Sequence, residues 1–283
     1  MKTVSALLVG ALVCVVFTGA KAAEPPAAQP APQQQPVETG LVPYRALYSV
    51  ALVGAGRQSD FVSAEGKYYT ENKMDCDGTT SDSRMRIYLY TQEGHKVEMR
   101  SGNVMWEAKN SLGYRYEARA SMGGNIVNAR SGTATLASAG GSGTAQDRKG
   151  GSIALPAGTL FPVAASRELL RAAAAGEAQL QTRIFDGQNT TGGISEITSF
   201  ISAPVPVSIA AAKAGREGKP DVSWPVRMVM RDPGAAQSGP SAEMLLSVLP
   251  NGVIEQMTTQ MGDFSLRMTL DSLKLLPLPT CGN

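Results

Sequence analysis

The chain has 283 residues, 43% of them hydrophobic and 18% charged, and its 26 Lys and Arg against 24 Asp and Glu give a formal net charge of +2. That length accommodates one large β domain or two smaller ones. The balanced charge, with no basic run to neutralise phosphates, argues against a nucleic-acid surface.

In chain order the first element is a leader. Met1 and Lys2 precede an apolar run from Ala6 to Phe17, and Thr18, Gly19, Ala20, Lys21 and Ala22 follow it. This is the layout of a signal peptide over 1–22 with an Ala-x-Ala cleavage site, so export is expected, with a mature chain starting at Ala23 or Glu24. The run falls short of the ~20 residues a helix needs to cross a bilayer, and no later segment is long and apolar enough to span. Val13 stands where a lipoprotein signal needs a small residue, so Cys14 reads as part of the leader. Cleavage takes Lys2, Lys21 and Cys14, leaving 24 basic residues against 24 acidic ones and only Cys76 and Cys281.

Two cysteines in an oxidising compartment allow one internal pairing, Cys76–Cys281; two free thiols or an intermolecular bridge are the alternatives. Closing a loop of about 200 residues is assigned roughly 5 kcal/mol by the chain-entropy model, comparable with the stability of an ordinary domain. From Ala23 to Thr39 the chain is mostly Ala, Pro and Gln, a composition that buries too little apolar surface to fold, so 23–39 reads as a flexible tether. The remainder, 40–283, is expected to be a single β-rich domain, since both cysteines sit toward its extremes.

Alternating apolar and polar residues mark half-buried strands through this region. Met85, Ile87 and Leu89 alternate with Arg84, Arg86, Tyr88 and Tyr90; Val104, Trp106 and Ala108 form the next apolar face; Tyr114, Tyr116 and Ala118 alternate with Arg115, Glu117 and Arg119. Gly94, Gly102 with Asn103, and Leu112 with Gly113 are the expected turns. The Gly-, Ala- and Ser-rich stretch from Ala137 to Gly151 reads as a mobile loop without a ligand-binding cluster, as does Ala210 to Asp221.

One segment reads as a helix. Pro162 suits a first helical turn, Ser166 to Ala175 is rich in helix formers, and Gly176 supplies a terminator. Leu169, Leu170 and Ala173 share a face, which predicts packing across a curved sheet, or else a surface helix where two sheets meet. Beyond it Leu180, Thr182 and Ile184 lead to a turn at Asp186 and Gly187 and a return strand from Ile194 to Val207. Trp224, Val226, Met228 and Met230 form another strand; Met244, Leu246 and Val248 precede the hairpin signal Asn251-Gly252; strands over Val253–Met261 and Phe264–Leu275 finish the domain.

Catalytic chemistry is poorly provided for. The single histidine, His95, lies in the turn-like Glu93-Gly94-His95-Lys96, and one histidine cannot build a His-rich metal site. There is no Gly-x-Ser-x-Gly pentapeptide; Gly140-Gly141-Ser142-Gly143 lies in the low-complexity stretch and reads as linker. Phosphate-cradling and dinucleotide fingerprints are absent as well. Asp75, Asp77 and Asp82 flank Cys76 and are the candidates for a paired-acid site, against the plainer reading of turn formers. Asn189-Thr190-Thr191 is a glycosylation sequon, of consequence only in a host that glycosylates asparagine. Met85, Met99, Met228, Met230, Met244, Met257, Met261 and Met268 lie on strands, where they could line an adaptable groove or simply fill the core.

A set of segments, taken in order, carries a family resemblance. Val42-Pro43-Tyr44-Arg45-Ala46-Leu47-Tyr48 opens the domain; Cys76-Asp77-Gly78 follows, then Leu155-Pro156-Ala157-Gly158-Thr159-Leu160-Phe161-Pro162, Arg183-Ile184-Phe185-Asp186-Gly187, Gly262-Asp263-Phe264-Ser265-Leu266 and a closing Leu276-Pro277-Leu278-Pro279-Thr280-Cys281. The chain resembles the EipB-like cell-envelope integrity family of Gram-negative periplasmic proteins over nearly everything after the tether. The resemblance implies an all-β fold, a large spiral-like, partly closed antiparallel sheet with one main helix in its concavity. It also implies a disulfide between Cys76 and Cys281. One departure is Thr79, where the family pattern leads one to expect an aromatic residue.

The reading that follows is a non-enzymatic periplasmic protein supporting cell-envelope integrity, with no cofactor or metal. It is expected to bind an envelope protein, a lipid or a peptidoglycan component through a curved β surface. A periplasmic acyl-chain carrier is the alternative, and a hydrolase using Asp75, Asp77 or Asp82 a weaker one.

Overall fold

The computed structural model describes residues 37–57, 59–188, 193–207, 221–233 and 242–282. The expected leader, Cys14, most of the tether, the Asn189 sequon and nearly all of the 210–221 stretch lie outside the described residues.

Eight strands come first: β1 Tyr44–Ala55, β2 Phe61–Met74, β3 Gly78–Thr91, β4 Lys96–Ala108, β5 Gly113–Met122, β6 Asn125–Leu136, β7 Gly143–Asp147 and β8 Ser152–Leu155. A short β9 (Thr159–Leu160) enters helix α1 (Pro162–Ala174). Then come β10 Gln179–Phe185, β11 Ile194–Ile201, β12 Val205–Pro206, β13 Val222–Arg231, β14 Ala242–Val248, β15 Ile254–Met261 and β16 Phe264–Leu275. They form one sheet ordered β8-β7-β6-β5-β4-β3-β2-β1-β16-β15-β14-β13-β11-β10-β9, with β12 beside β13 off that path. Neighbours are antiparallel except β9, which runs parallel to β10. The sheet is therefore mixed at one end, though otherwise the antiparallel, partly closed architecture expected.

Closure is by packing. Tyr114, Tyr116, Leu136, Ala145 and Leu155 from one end of the path share a core cluster with Phe161, Phe185 and Ile194 from the other. The Gly158 N–H donates to Gly140 O across the same seam at 2.7 Å. A larger cluster fills the inner face of β1, β3 and β16, with Tyr48, Val50, Ile87, Leu89, Leu266 and Leu270 buried.

Helix α1 lies in the hollow of the second half of the sheet. Leu169, Leu170, Ala172 and Ala173 pack on Ile201, Trp224, Val226, Leu246 and Val248. Gly176, at φ +73°, ends it as its position in the sequence suggests, with its N–H on Ala173 O at 3.1 Å and the Glu177 N–H on Ala172 O at 3.0 Å. Val37 and Leu41 join the same cluster, so the packed chain begins before Gly40.

Several sequence expectations fail, among them the single return strand from Ile194 to Val207, which is split into β11 and β12. Gly102 and Asn103 do not turn: they lie inside β4, whose pairing with β3 runs unbroken from Gly78↔Ala108 to Tyr90↔Lys96. A continuous ladder outweighs the local turn preference of a Gly-Asn pair. The phase is reversed too: Val104 is 45% exposed, whereas Met99 and Glu107 are buried on the inner face. The 137–151 stretch is not a loop throughout, because β7 runs through it between β6 and β8. Its small residues serve close packing: a Cβ on Gly143 would stand 2.0 Å from Thr135 O, and Ala145 is fully buried.

Cys76 and Cys281 are joined across a sequence separation of 205, with their Cα atoms 5.6 Å apart. Cys76 sits in the β2–β3 turn, where the Asp75 N–H donates to Gly78 O at 2.8 Å. After β16, the Leu276 N–H bonds Pro43 O at 2.9 Å, and the tail then runs to the disulfide.

Candidate binding cleft

Where the two ends of the sheet meet, an open cleft of about 850 Å³ lies against the start of α1. Leu180, Thr182 and Ile197 of β10 and β11 line one side, Phe161, Ala164 and Arg167 another, and Leu136, Ala139 and Gly140 of the β6–β7 connection a third. Ala139 and Gly140 belong to the stretch that the sequence presented as free of ligand contacts.

The wall formed by α1 is fixed by a carboxylate. Phe161 occupies the N-cap position and offers no side-chain acceptor, which leaves the first helical N–H groups to be satisfied from elsewhere. Glu107, 1% exposed, accepts the Val163 N–H at 2.6 Å and the Ala164 N–H at 2.9 Å, and the Ser111 hydroxyl donates to it at 3.1 Å. Burial pushes the Glu107 carboxyl above the ordinary carboxylate range, and the Val163 and Ala164 N–H groups pull against it. Gly78, paired beside it, has no alternative: a Cβ there would stand 2.2 Å from Glu107 O.

Charge in the cleft is unevenly matched. Arg183 of β10 bonds Glu196 of β11 at 2.8 Å and Ala157 O at 3.0 Å. Glu168 is taken by Arg171 at 2.8 Å. Arg231 faces the already engaged Glu196 across the β11–β13 ladder, and Arg167 reaches only the Ser111 hydroxyl, at 3.5 Å. Neither Arg167 nor Arg231 has a salt bridge among the described residues, though Arg167 lies close enough to the Glu107 carboxyl to favour its charged form.

The backbone of β10 adds directional groups. The Ile201 N–H donates to Ala178 O, which turns the even-numbered residues of the following strand toward β11 and the odd-numbered ones toward the opposite edge. On that edge β9 pairs only Arg183 and Ile184. The Gln179 and Gln181 main-chain groups thus have no strand partner among the described residues, and Gln181 lines the cleft.

The EipB-like family profile matches residues 36–277. The chain belongs to the EipB-like family. Its curated relatives include the cell envelope integrity protein EipB of Brucella abortus (strain 2308), 25% identical over 237 residues, or 83% of this chain and 84% of the relative. A crystal structure of a β-barrel-like protein of domain of unknown function DUF1849 from Brucella abortus superposes with a TM-score of 0.77 at 23% identity. It covers 84% of this chain and 100% of the other.

In this EipB-like chain most residues singled out from sequence lie outside the cleft. Asp75 and Asp77 are exposed in the disulfide-bearing turn, and Asp82 pairs with Arg84 at 2.8 Å on the outside of β3. His95 projects from the β3–β4 turn, 3.6 Å from Glu93. No group of three or more His, Cys, Asp and Glu among the described residues could hold a metal ion. Met85, Met99 and Met268 are buried in the main core, and Met228, Met244, Met257 and Met261 pack against core clusters. Thr79 is buried opposite Met74 and Glu107.

Sequence reasoning missed Glu107, Arg167, Arg183, Glu196 and Arg231. One signal existed: a helix opening Phe161-Pro162 without Ser, Thr, Asp or Asn ahead of it needs a remote acceptor. No local pattern marks the arginines, because the strands and helix that bring them together are separated in sequence.

Proposed function

We propose that this EipB-like chain is a non-enzymatic periplasmic protein that supports cell-envelope integrity by holding an extended, carboxylate-bearing peptide segment in the seam cleft. The name of the Brucella relative supports the envelope role, and the leader supports export. The observation that carries the binding mode is the open β10 edge at Gln179 and Gln181, beside Arg167 and Arg231, neither of which forms a salt bridge among the described residues. An extended peptide adds to such an edge through main-chain hydrogen bonds, and guanidinium groups take its carboxylates. The carrier alternative finds less support, because the methionines pack in the core.

A photo-crosslinking residue at Gln181, in the exported chain within cells, tests this. A peptide adduct that Arg167→Gln/Arg231→Gln reduces at least tenfold is expected. Recovery of lipid or glycan alone, or hydrolysis of peptidoglycan by the purified chain, overturns it.

A further inference from the structure

On the opposite, outward side of the sheet, cross-strand register sets side chains in transverse rows. Arg86, Arg100, Ser121 and Ile126 form one row across β3–β6, and Arg84, Gly102 and Arg119 form the next. Gly102 contributes no side chain, and a shallow trough of about 590 Å³ opens there among the four arginines, with Ile126 at its border.

Four arginines meet three carboxylates around this trough, and two of these, Asp82 and Glu117, line it as well. Glu98, one row nearer the hairpin tip, pairs with Arg86 and Arg100, while Asp82, one row farther away, pairs with Arg84. Glu117 lies beside Asp82 in that farther row, across Val104. Arg119 has no ion pair among the described residues. All four guanidiniums reach solvent, the paired three with 71%, 58% and 56% of the side chain exposed for Arg84, Arg86 and Arg100.

The β5–β6 hairpin adds an apolar projection. Its pairing slips between Ala120↔Asn128 and Ser121↔Ile126, which leaves Val127 as an extra residue. Such a bulge breaks the in-and-out alternation, and the consecutive Ile126 and Val127 are both exposed, at 56% and 63%. The tip itself is Gly123-Gly124, both at positive φ, so no bulky side chain shields the pair.

We infer that this face docks on an anionic lipid bilayer, with Arg84, Arg86, Arg100 and Arg119 on lipid phosphates and Ile126 and Val127 entering the interface. One arginine row is level with Ile126 and the other lies roughly 7 Å farther along the strands, so the guanidiniums and the exposed apolar pair share one face. A bilayer accepts two β-branched side chains without a shaped pocket, whereas a protein partner would need one. The surface shares no residue with the seam cleft.

Flotation of the full mature chain with phosphatidylcholine vesicles, with and without about a third phosphatidylglycerol, tests the inference. Binding is expected to the anionic vesicles alone, weakening steeply with salt. Arg100→Gln/Arg119→Gln lowers partitioning roughly 30-fold, and Ile126→Ser/Val127→Ser about tenfold, with melting temperatures unchanged. Arg167→Gln/Arg231→Gln leaves vesicle binding intact, which separates this surface from the cleft. Equal binding to neutral vesicles, failure to float, loss of binding to millimolar inorganic phosphate at constant ionic strength, or variants that float like the parent overturns the inference. So does capture on an envelope protein without vesicle binding.

Discussion

The carboxylate of Glu107 on β4 accepts the backbone N–H of Val163 in the first turn of α1, at 2.6 Å and across 56 residues of chain. A strand side chain thereby does what the helix's own N-cap cannot, and the helix that walls the cleft takes its position from the first half of the sheet.

Replacing that group tests its weight. Glu107→Ala leaves two helical N–H groups buried without an acceptor, at an expected cost of about 2–4 kcal/mol. Glu107→Gln, which retains an oxygen acceptor, is expected to lie between Ala and the parent. Urea unfolding measures both, and a loss for Ala below ~0.5 kcal/mol would show that water or local rearrangement serves the helix equally well.

The Cys76–Cys281 bond closes nearly the whole described sheet into one loop. The double Cys→Ser variant is expected to be less stable by up to about 5 kcal/mol, the chain-entropy upper bound. Reductant is expected to bring the parent down to the variant's melting temperature. Identical melting with and without reductant, or two labelled thiols after denaturing alkylation without reduction, would refute this.

Acid should weaken the fold through Glu71. Hydrogen bonds from Lys73 at 2.6 Å, from Tyr69 at 2.8 Å and from Arg45 hold its carboxyl down to about 2, from an ordinary 4.5. Because the folded value is the lower one, this stabilisation is complete above pH 4.5 and is lost as pH falls toward about 2. Glu107, shifted upward by burial, acts in the opposite sense above 4.5, where rising pH charges a carboxyl held in a dry site. Urea midpoints measured across this range should fall less steeply for Glu71→Gln than for the parent; parallel acid limbs would remove Glu71 from the account.

Much of the architecture could be read from punctuation and period. Pro162 and Gly176 bracket α1 within a residue or two, Asn251-Gly252 marks a real turn, and the alternation at Met85, Ile87 and Leu89 gives the buried face of β3. Gly102-Asn103 misled because turn propensity is local, whereas β4 is held by partners on both sides. The same misplaced turn put Val104 and Trp106 on the inner face and so hid Glu107. The cleft was illegible for a different reason: Leu169, Leu170 and Ala173 mark the docking face of α1, but the sheet order that brings Arg167, Arg183 and Arg231 together has no signature in any window of sequence.

The first strand of the described fold pairs with the last, Tyr44 opposite Leu275, at the middle of the sheet and not at its rim. During synthesis from the N-terminus, β1 can join β2 in a hairpin at once, but its other edge waits until β16 has emerged. A chain ending between β15 and β16 would therefore leave the β1 edge of one half-sheet and the β15 edge of the other unpaired.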